Sequence, residues 1–171
     1  MHIDDFDYEL PDSFIAQTPA EPRDQSKLML LDRSSGRVKH RVFRDILDEL
    51  HTGDVLVMNN TRVIPARIHV VKQETRGKAE ILLLRQIDDT GWRALVGGKR
   101  IHEGTVLAVP DTSVTATVEA VYDGPERLVR FNQPVNEMLS SFGKLPLPPY
   151  IHETVADDER YQTIYSRHEG S

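Results

Sequence analysis

A chain of 171 residues with 21 Lys and Arg against 27 Asp and Glu is long enough for one ordinary domain or two small ones, and its net charge of -6 excludes nucleic-acid binding through bulk positive charge, though not through a local basic patch. Its 39% hydrophobic and 28% charged content is that of a soluble globular protein, and the absence of cysteine excludes a disulfide scaffold, a thiolate zinc site and a cysteine nucleophile. The acidic opening "MHIDDFDYEL" has no apolar signal core and no run approaches the ~18 apolar residues of a membrane span, so a cytoplasmic protein with no membrane partner is expected.

In chain order, Phe14 and Ile15 sit in a short amphipathic piece that Pro19 and Pro22 cut off. "KLMLLD" (27–32) and "RVKHRVF" (37–43) predict two strands of a hairpin around the turn "RSSG". Phe43, Ile46, Leu47 and Leu50 recur at i, i+3, i+4 and i+7, predicting an amphipathic helix that ends near Thr52-Gly53. "DVLVM" (54–58) then predicts a buried strand, and strand–strand–helix–strand is an α/β opening.

From Arg62 the pattern changes. Ile64, Ala66, Ile68 and Val70 share one parity, and "AEILLLRQI", "WRALVGG", "TVLAV", "VTATVEAV" and "RLVRF" follow between Gly- and Asp-rich turns. Six short strands without intervening helices predict a small antiparallel barrel or sandwich, with Pro65 tolerated only at an edge or at the start of the first strand. A helix carrying Val135, Met138, Leu139 and Phe142 and stopped by Gly143 comes next, then the extended strap "LPLPPYI" (145–151) and a short helix start in 157–165. The expected fold class is therefore an α/β (α+β) domain, incomplete, formed by 1–61 and 132–171 and interrupted by an inserted antiparallel β-barrel at 62–131. The ending Gly170-Ser171 reads equally as a small flexible tail or as an interrupted chain.

Generic catalytic signatures fail. "GGKR" (97–100) lacks the glycine and the Ser or Thr of a phosphate loop, and neither "HETVA" (152–156) nor "HEGTV" (102–106) supplies the second histidine of a zinc protease, so no metal is expected. "NNTRVIPAR" (59–67) is more informative. It reads either as a turn whose Asn and Thr cap backbone groups, or as a ligand site beyond the end of a core strand. In the second case amides and a hydroxyl read a purine or ribose, and an arginine clamps a carboxylate or phosphate. Tyr150, on its proline strap, is either part of a rigid connection or a preorganised aromatic face. Arg23 and Asp24 read as a turn salt bridge, and Tyr161 and Tyr165 as core residues, when each is taken alone.

Taken together, "IAQTPAEPRDQSKLMLLD", "FRDILDELHTGDVLVMNNTRVIPARI", "EILLLR", "GKLPLPPYI" and "ERYQTIYSRHEGS" resemble, in this order and spacing, the S-adenosylmethionine:tRNA ribosyltransferase-isomerase family of queuosine biosynthesis. The resemblance spans the whole chain and matches the N-terminal half of that family, whose members are about twice as long. It implies transfer and isomerisation of the ribosyl part of S-adenosylmethionine, a substrate here, onto 7-aminomethyl-7-deazaguanine at the tRNA wobble position. The products are epoxyqueuosine, adenine and methionine, formed without a metal. The implied partner is the anticodon loop of tRNA. Full-length members are expected to be monomeric, and a chain of this length to associate through uncovered strand edges. The alternative is a non-catalytic barrel module that binds RNA or a partner.

On that resemblance, the expected substrate-binding residues are Arg23, Asp24, Asn59, Asn60, Thr61, Arg62, Arg67, Tyr150 and Tyr161. Asn59 and Thr61 would bond the nucleoside, Arg62 or Arg67 would take a carboxylate or phosphate, and the two tyrosines would stack on or flank a base, with Arg23 and Asp24 supporting the same cleft. The resemblance names no general base. For RNA phosphates the candidates are the cations of the inserted barrel, above all Lys99 and Arg100 on the Gly-rich "GGKR" loop.

Overall fold

The computed structural model describes residues 2–153 and 157–170, so the His152–Ala156 segment rejected above as a zinc motif falls partly outside it. By internal contact the chain divides into two units, 1–60 with 148–166, and 61–147 with 167–171.

In the first unit, Lys27–Leu31 (β1) pairs antiparallel with Val38–Val42 (β2), Met29 opposite His40, as the sequence predicts. Asp32 organises the turn between them. Its carboxylate accepts from the Ser34 hydroxyl at 2.6 Å and from the backbone N–H groups of Ser34 and Ser35 at 2.9 and 3.1 Å. These donors stabilise the anion and hold its pKa at about 2, below the usual 3.8.

Three expectations are corrected in this unit. The predicted helix over 43–52 is a 3-10 helix at Phe43–Asp48, and the helix start in 157–165 is a 3-10 turn at Asp158–Arg160. A short α-helix needs an apolar surface to offset its unfavourable nucleation, and Phe43 and Leu47 remain exposed. The predicted buried strand "DVLVM" is not a strand, and Val55 and Val57 are 85% and 92% exposed. A strand exists only where a neighbour takes up its N–H and C=O groups, and no described residue pairs with this run.

The second unit holds the core. It comprises Thr61–Arg62 (β3), Arg67–Lys72 (β4), Lys78–Gln86 (β5), Gly91–Gly97 (β6), Val106–Ala108 (β7), Thr115–Val121 (β8), Glu126–Phe131 (β9), Leu139–Phe142 (α1), Gly143–Lys144 (β10) and His168–Glu169 (β11). The strands run in the order β4-β5-β6-β9-β8-β7, all antiparallel, and β7 returns to β4 through Val71 opposite Ala108 and Lys72 opposite Leu107. The result is a mostly-β chain containing a closed six-stranded barrel, the first of the two all-β architectures the alternation allows.

Alternate residues fill the barrel: Ile68 and Val70 from β4, Ile81 and Leu83 from β5, Ala94 and Val96 from β6, Leu107 from β7, Ala116 and Val118 from β8, and Val129 and Phe131 from β9. Each fully buried aliphatic side chain stabilises by about 1.5–3 kcal/mol. Closure leaves none of the six strands as an open edge, and bulges at Leu83/Arg85 and Val118/Ala120 bend the sheet as a small barrel requires.

Val135 and Leu139, both buried, close one end of the barrel from a 3-10 turn at Asn136–Met138 and the single turn of α1, where a longer helix was predicted. Gly143 ends that turn, but with an extended backbone (φ -76°) in place of the left-handed cap the sequence suggests. Its glycine is steric: a Cβ there would lie 2.1 Å from the Pro65 carbonyl oxygen and 2.6 Å from that of Leu139. That close approach lets β10 pair with β4. Pro65 itself lies between β3 and β4, where no ladder N–H is needed.

Candidate functional site

Within the barrel unit, the sequence after Thr61 leads directly to a cavity. β3 pairs with β11 in parallel, Thr61 opposite His168 and Arg62 opposite Glu169, and the Gly170 N–H donates to the Arg62 carbonyl at 3.3 Å. Ile64 and Pro65 on one strand of the chain, and Glu169 and Gly170 on the other, then line a cavity of about 630 Å³ at the capped end of the barrel.

Its remaining wall is Trp92, Leu139, Gln86, Asn136, Glu137 and Ser140. Asn136 Nδ2 donates to Gln86 Oε1 at 3.0 Å, and Gln86 Nε2 donates to the Asp88 carbonyl at 3.0 Å, so the amides are oriented by each other. Trp92 is 6% exposed, and its indole N–H has no hydrogen-bond acceptor among the described residues. Apolar walls with two carboxylates, two amides and a hydroxyl suit a flat heterocycle carrying amino groups better than an anion.

The predicted site residues fall in both units. In the barrel unit, Thr61 and Arg62 are half-buried in β3. Arg67, in β4, directs Nε toward Glu80 Oε1 at 3.7 Å, so its charge already has an internal partner. Lys99 and Arg100 are exposed in the loop after β6.

In the other unit, Asn59 and Asn60 are exposed. Arg23 is committed to the backbone: its guanidinium donates to the carbonyls of Glu159, Arg160 and Gln162 at 2.9, 2.9 and 2.8 Å. It thereby fixes the segment that bears Tyr161, which is 37% exposed. Asp24 pairs with Arg44, accepting from Nε and Nη2 at 3.0 and 2.8 Å, and not with Arg23 as the sequence suggests. Tyr150 is half-exposed on its strap, which Gln17 pins by donating to the Tyr150 carbonyl at 2.9 Å and accepting from the His152 N–H at 2.8 Å.

Sequence reasoning missed Gln17, Arg44 and Arg160. Arg160 donates to the Ala20 carbonyl at 2.9 Å and pairs with Glu21 at 2.7 Å. No local motif marks such long-range partners. Trp92, the only tryptophan, was the one signal that could have flagged the cavity. Among the described residues no group of three or more His, Asp or Glu is placed to hold a metal, and no helix is long and apolar enough to cross a membrane.

Fold and cavity define a mostly-β chain built on a small closed antiparallel barrel, with a polar-rimmed cavity at one barrel end. A family model described as "Queuosine biosynthesis protein" matches residues 3–171, and the chain belongs to that family. Over 174 aligned residues, covering the whole chain, it is 47% identical to an S-adenosylmethionine:tRNA ribosyltransferase-isomerase of Desulfitobacterium hafniense and 42% identical to one of Staphylococcus haemolyticus. The alignment covers 51% of each, so the chain spans about half the length of the curated relatives it matches. The crystal structure of an S-adenosylmethionine tRNA ribosyltransferase from Thermotoga maritima matches 78% of this chain and 46% of its own at 39% identity, with a TM-score of 0.38.

Proposed function

We propose that this chain supplies part of the active site of a tRNA wobble-base modifying enzyme. The reaction is transfer of the ribosyl moiety of S-adenosylmethionine to the aminomethyl group of 7-aminomethyl-7-deazaguanine in the anticodon loop, with isomerisation to epoxyqueuosine and release of adenine and methionine. The observation that carries the proposal is the 47% identity to a ribosyltransferase-isomerase along the entire chain. S-adenosylmethionine is the donor substrate and tRNA the acceptor. The α/β reading of 1–61 and 132–171 around the barrel at 62–131 belongs to the same proposal, and the parallel pairing of β3 with β11 supports it.

Asn59, Asn60 and Thr61 hydrogen-bond the nucleoside, and Arg62 clamps a carboxylate or phosphate. Arg67, which pairs with Glu80, is the alternative clamp. Tyr150 and Tyr161 flank a base, held by Gln17 and Arg23 respectively, while Asp24 fixes the same segment through Arg44.

Adenine release from S-adenosylmethionine in the presence of precursor-bearing tRNA tests the proposal, with Arg62→Ala placed in a full-length relative. A loss of at least tenfold in turnover or tRNA affinity is expected, and unchanged values would refute the clamp. A second reading, a non-catalytic barrel module, is favoured by the barrel having a complete core of its own. It predicts that this chain retains tRNA and yields no adenine.

A further inference from the structure

The connections at the two ends of the barrel differ in charge. Its capped end carries Asp88, Asp89, Asp111 and Glu137 in the turns after β5 and β7 and in the segment after β9. At the other end, the β4–β5 turn with the first residue of β5 and the β6–β7 loop carry Arg76, Lys78, Lys99 and Arg100, and the acids of this end's connections are Glu74, Glu103 and, in the β8–β9 turn, Asp123.

Three of the barrel's other arginines are tied down internally, while Arg85 on β5 has no side-chain partner among the described residues. Arg93 bonds Glu126 at 2.6 Å, Arg130 bonds Glu119 at 2.5 Å and Asp88 at 2.9 Å, and Arg127 donates to the carbonyls of Gly124 and Glu126 at 2.7 Å. Arg76, Lys78, Lys99 and Arg100 have no side-chain partner of any kind among the described residues. Unpaired cations repel one another, and holding four at one end is unfavourable unless an anion visits.

Backbone conformation points the same way. Among the described residues three non-glycine positions have positive φ, and two are these arginines, Arg76 at 58° and Arg100 at 56°; the third is Asp111, a residue type that tolerates that region. Glycine would be easier at both positions, so the arginine is kept against a backbone cost. Both loops are fixed in place: Lys72 Nζ donates to the Lys99 and Arg100 carbonyls, and the Gln73 N–H donates to the Val106 carbonyl at 2.9 Å. Between them lies a recess of about 160 Å³ walled by Lys72, Glu74, Thr75, Arg100, His102 and Thr105, so that of the four cations Arg100 alone lines it, beside one carboxylate.

We infer that this end of the barrel, with Arg100 in the recess and Arg76, Lys78 and Lys99 on the segments beside it, is the surface that grips the phosphodiester backbone of the RNA substrate. The inference rests on the tRNA reading above and adds the face that meets it. The acidic connections at the capped end also orient the RNA, since they repel phosphates while the cations of the other end do not.

Fluorescence anisotropy of a labelled anticodon stem-loop RNA, titrated with the intact chain at several KCl concentrations, tests this. Arg76→Gly/Arg100→Gly is expected to weaken binding and to shallow the log Kd against log salt slope by about two, one for each phosphate no longer neutralised. The same variant is expected to melt at or above the wild-type temperature, because glycine relieves both left-handed positions. Arg85→Gln/Lys144→Gln, which removes as much charge elsewhere on the barrel unit, should leave the slope unchanged. If the glycine variant unfolds, Lys78→Gln/Lys99→Gln carries the same expectation. A wild-type slope in both loop variants, or an equal loss in the control, overturns the assignment while leaving the tRNA reading standing. No affinity of the wild-type chain for RNA at low salt overturns both.

Discussion

Replacing Gly143 by alanine is the sharpest test of how the barrel end is assembled. The added Cβ would stand 2.1 Å from one backbone oxygen and 2.6 Å from another, where ordinary contacts exceed 3.4 Å, so Pro65 and Leu139 must move by about 1 Å or more. Neither is the end of a flexible side chain. Overpacking a rigid site costs about 1–3 kcal/mol. Displacing β10 from β4 also gives up the pairing of Gly143 with Ile68 and Lys144 with Arg67, at about 1 kcal/mol per backbone bond. The sum is about 2–5 kcal/mol, and a unit of this size loses about 4–8 °C per kcal/mol, so the barrel should melt at least about 8 °C lower. Trp92 is the only tryptophan and lies beside Leu139 and Pro65 in the cavity wall, so its emission reports both the melt and the shift. Gly97→Ala is the control, because its Cβ meets nothing within 4 Å and its φ is not positive. A Gly143→Ala melt within about 2 °C of wild type, with Trp92 emission unchanged, would refute the close-approach account.

Asp88 accepts from Arg130 and from the N–H groups of Thr90 and Gly91, which hold its pKa at about 2 against 3.8 in the unfolded chain. Between those values the unfolded state binds the proton first, so the stabilisation is complete above about pH 4 and disappears as pH falls toward 2. Wild type should therefore outlast Asp88→Asn in thermal melts at pH 6, and the two should converge near pH 2; a gap that persists at low pH would contradict this. Val57, 92% exposed, should drive concentration-dependent association of the isolated chain, and Val57→Lys should reduce it in sedimentation velocity while changing monomer stability by no more than about 0.5 kcal/mol. Identical sedimentation of the two proteins would exclude that run as the contact. Amide exchange should separate the units, with Ile68, Ile81 and Val129 protected to near the global limit and residues 51–58 exchanging almost freely. Equal protection in both would show that the first unit is cooperatively folded with the barrel.

The barrel was legible because its strands follow a rule local to the sequence. Val114, Ala116 and Val118 alternate with Thr115 and Thr117, and the same parity is buried in the structure. Which way the sheet closed was not legible, because it depends on Val71 meeting Ala108 across 37 residues and on two bulges that leave no mark in the alternation. At the candidate site the sequence singled out residue types without their partners. Arg23 looked like half of a turn salt bridge or a support of the cleft, and it is instead saturated by three carbonyls about 140 positions away. Glycine at 143 looked like a helix stop because that is the commoner reason for glycine there; its close approach to Pro65 needs the fold to be known.

The misread strand at 54–58 and the correctly read barrel have one physical explanation. A barrel strand buries one face, and its six neighbours close on each other, so the sequence that encodes it also contains everything that covers it. Val55, Leu56, Val57 and Met58 are apolar on both parities, the pattern of a strand covered on both faces and paired on both edges. None of the described residues supplies that cover, and every described apolar side chain of the first unit remains at least partly exposed, Gln162 being its one buried residue. Hydrophobic pattern therefore states the environment a segment is suited to, and the segment takes up its structure only where the rest of the chain, or a partner, provides it. On the proposed function that provider also completes the catalytic cleft, so the same contact that orders residues 54–58 would fix Asn59 to Arg62 for chemistry, and stability and turnover should rise together when it is made.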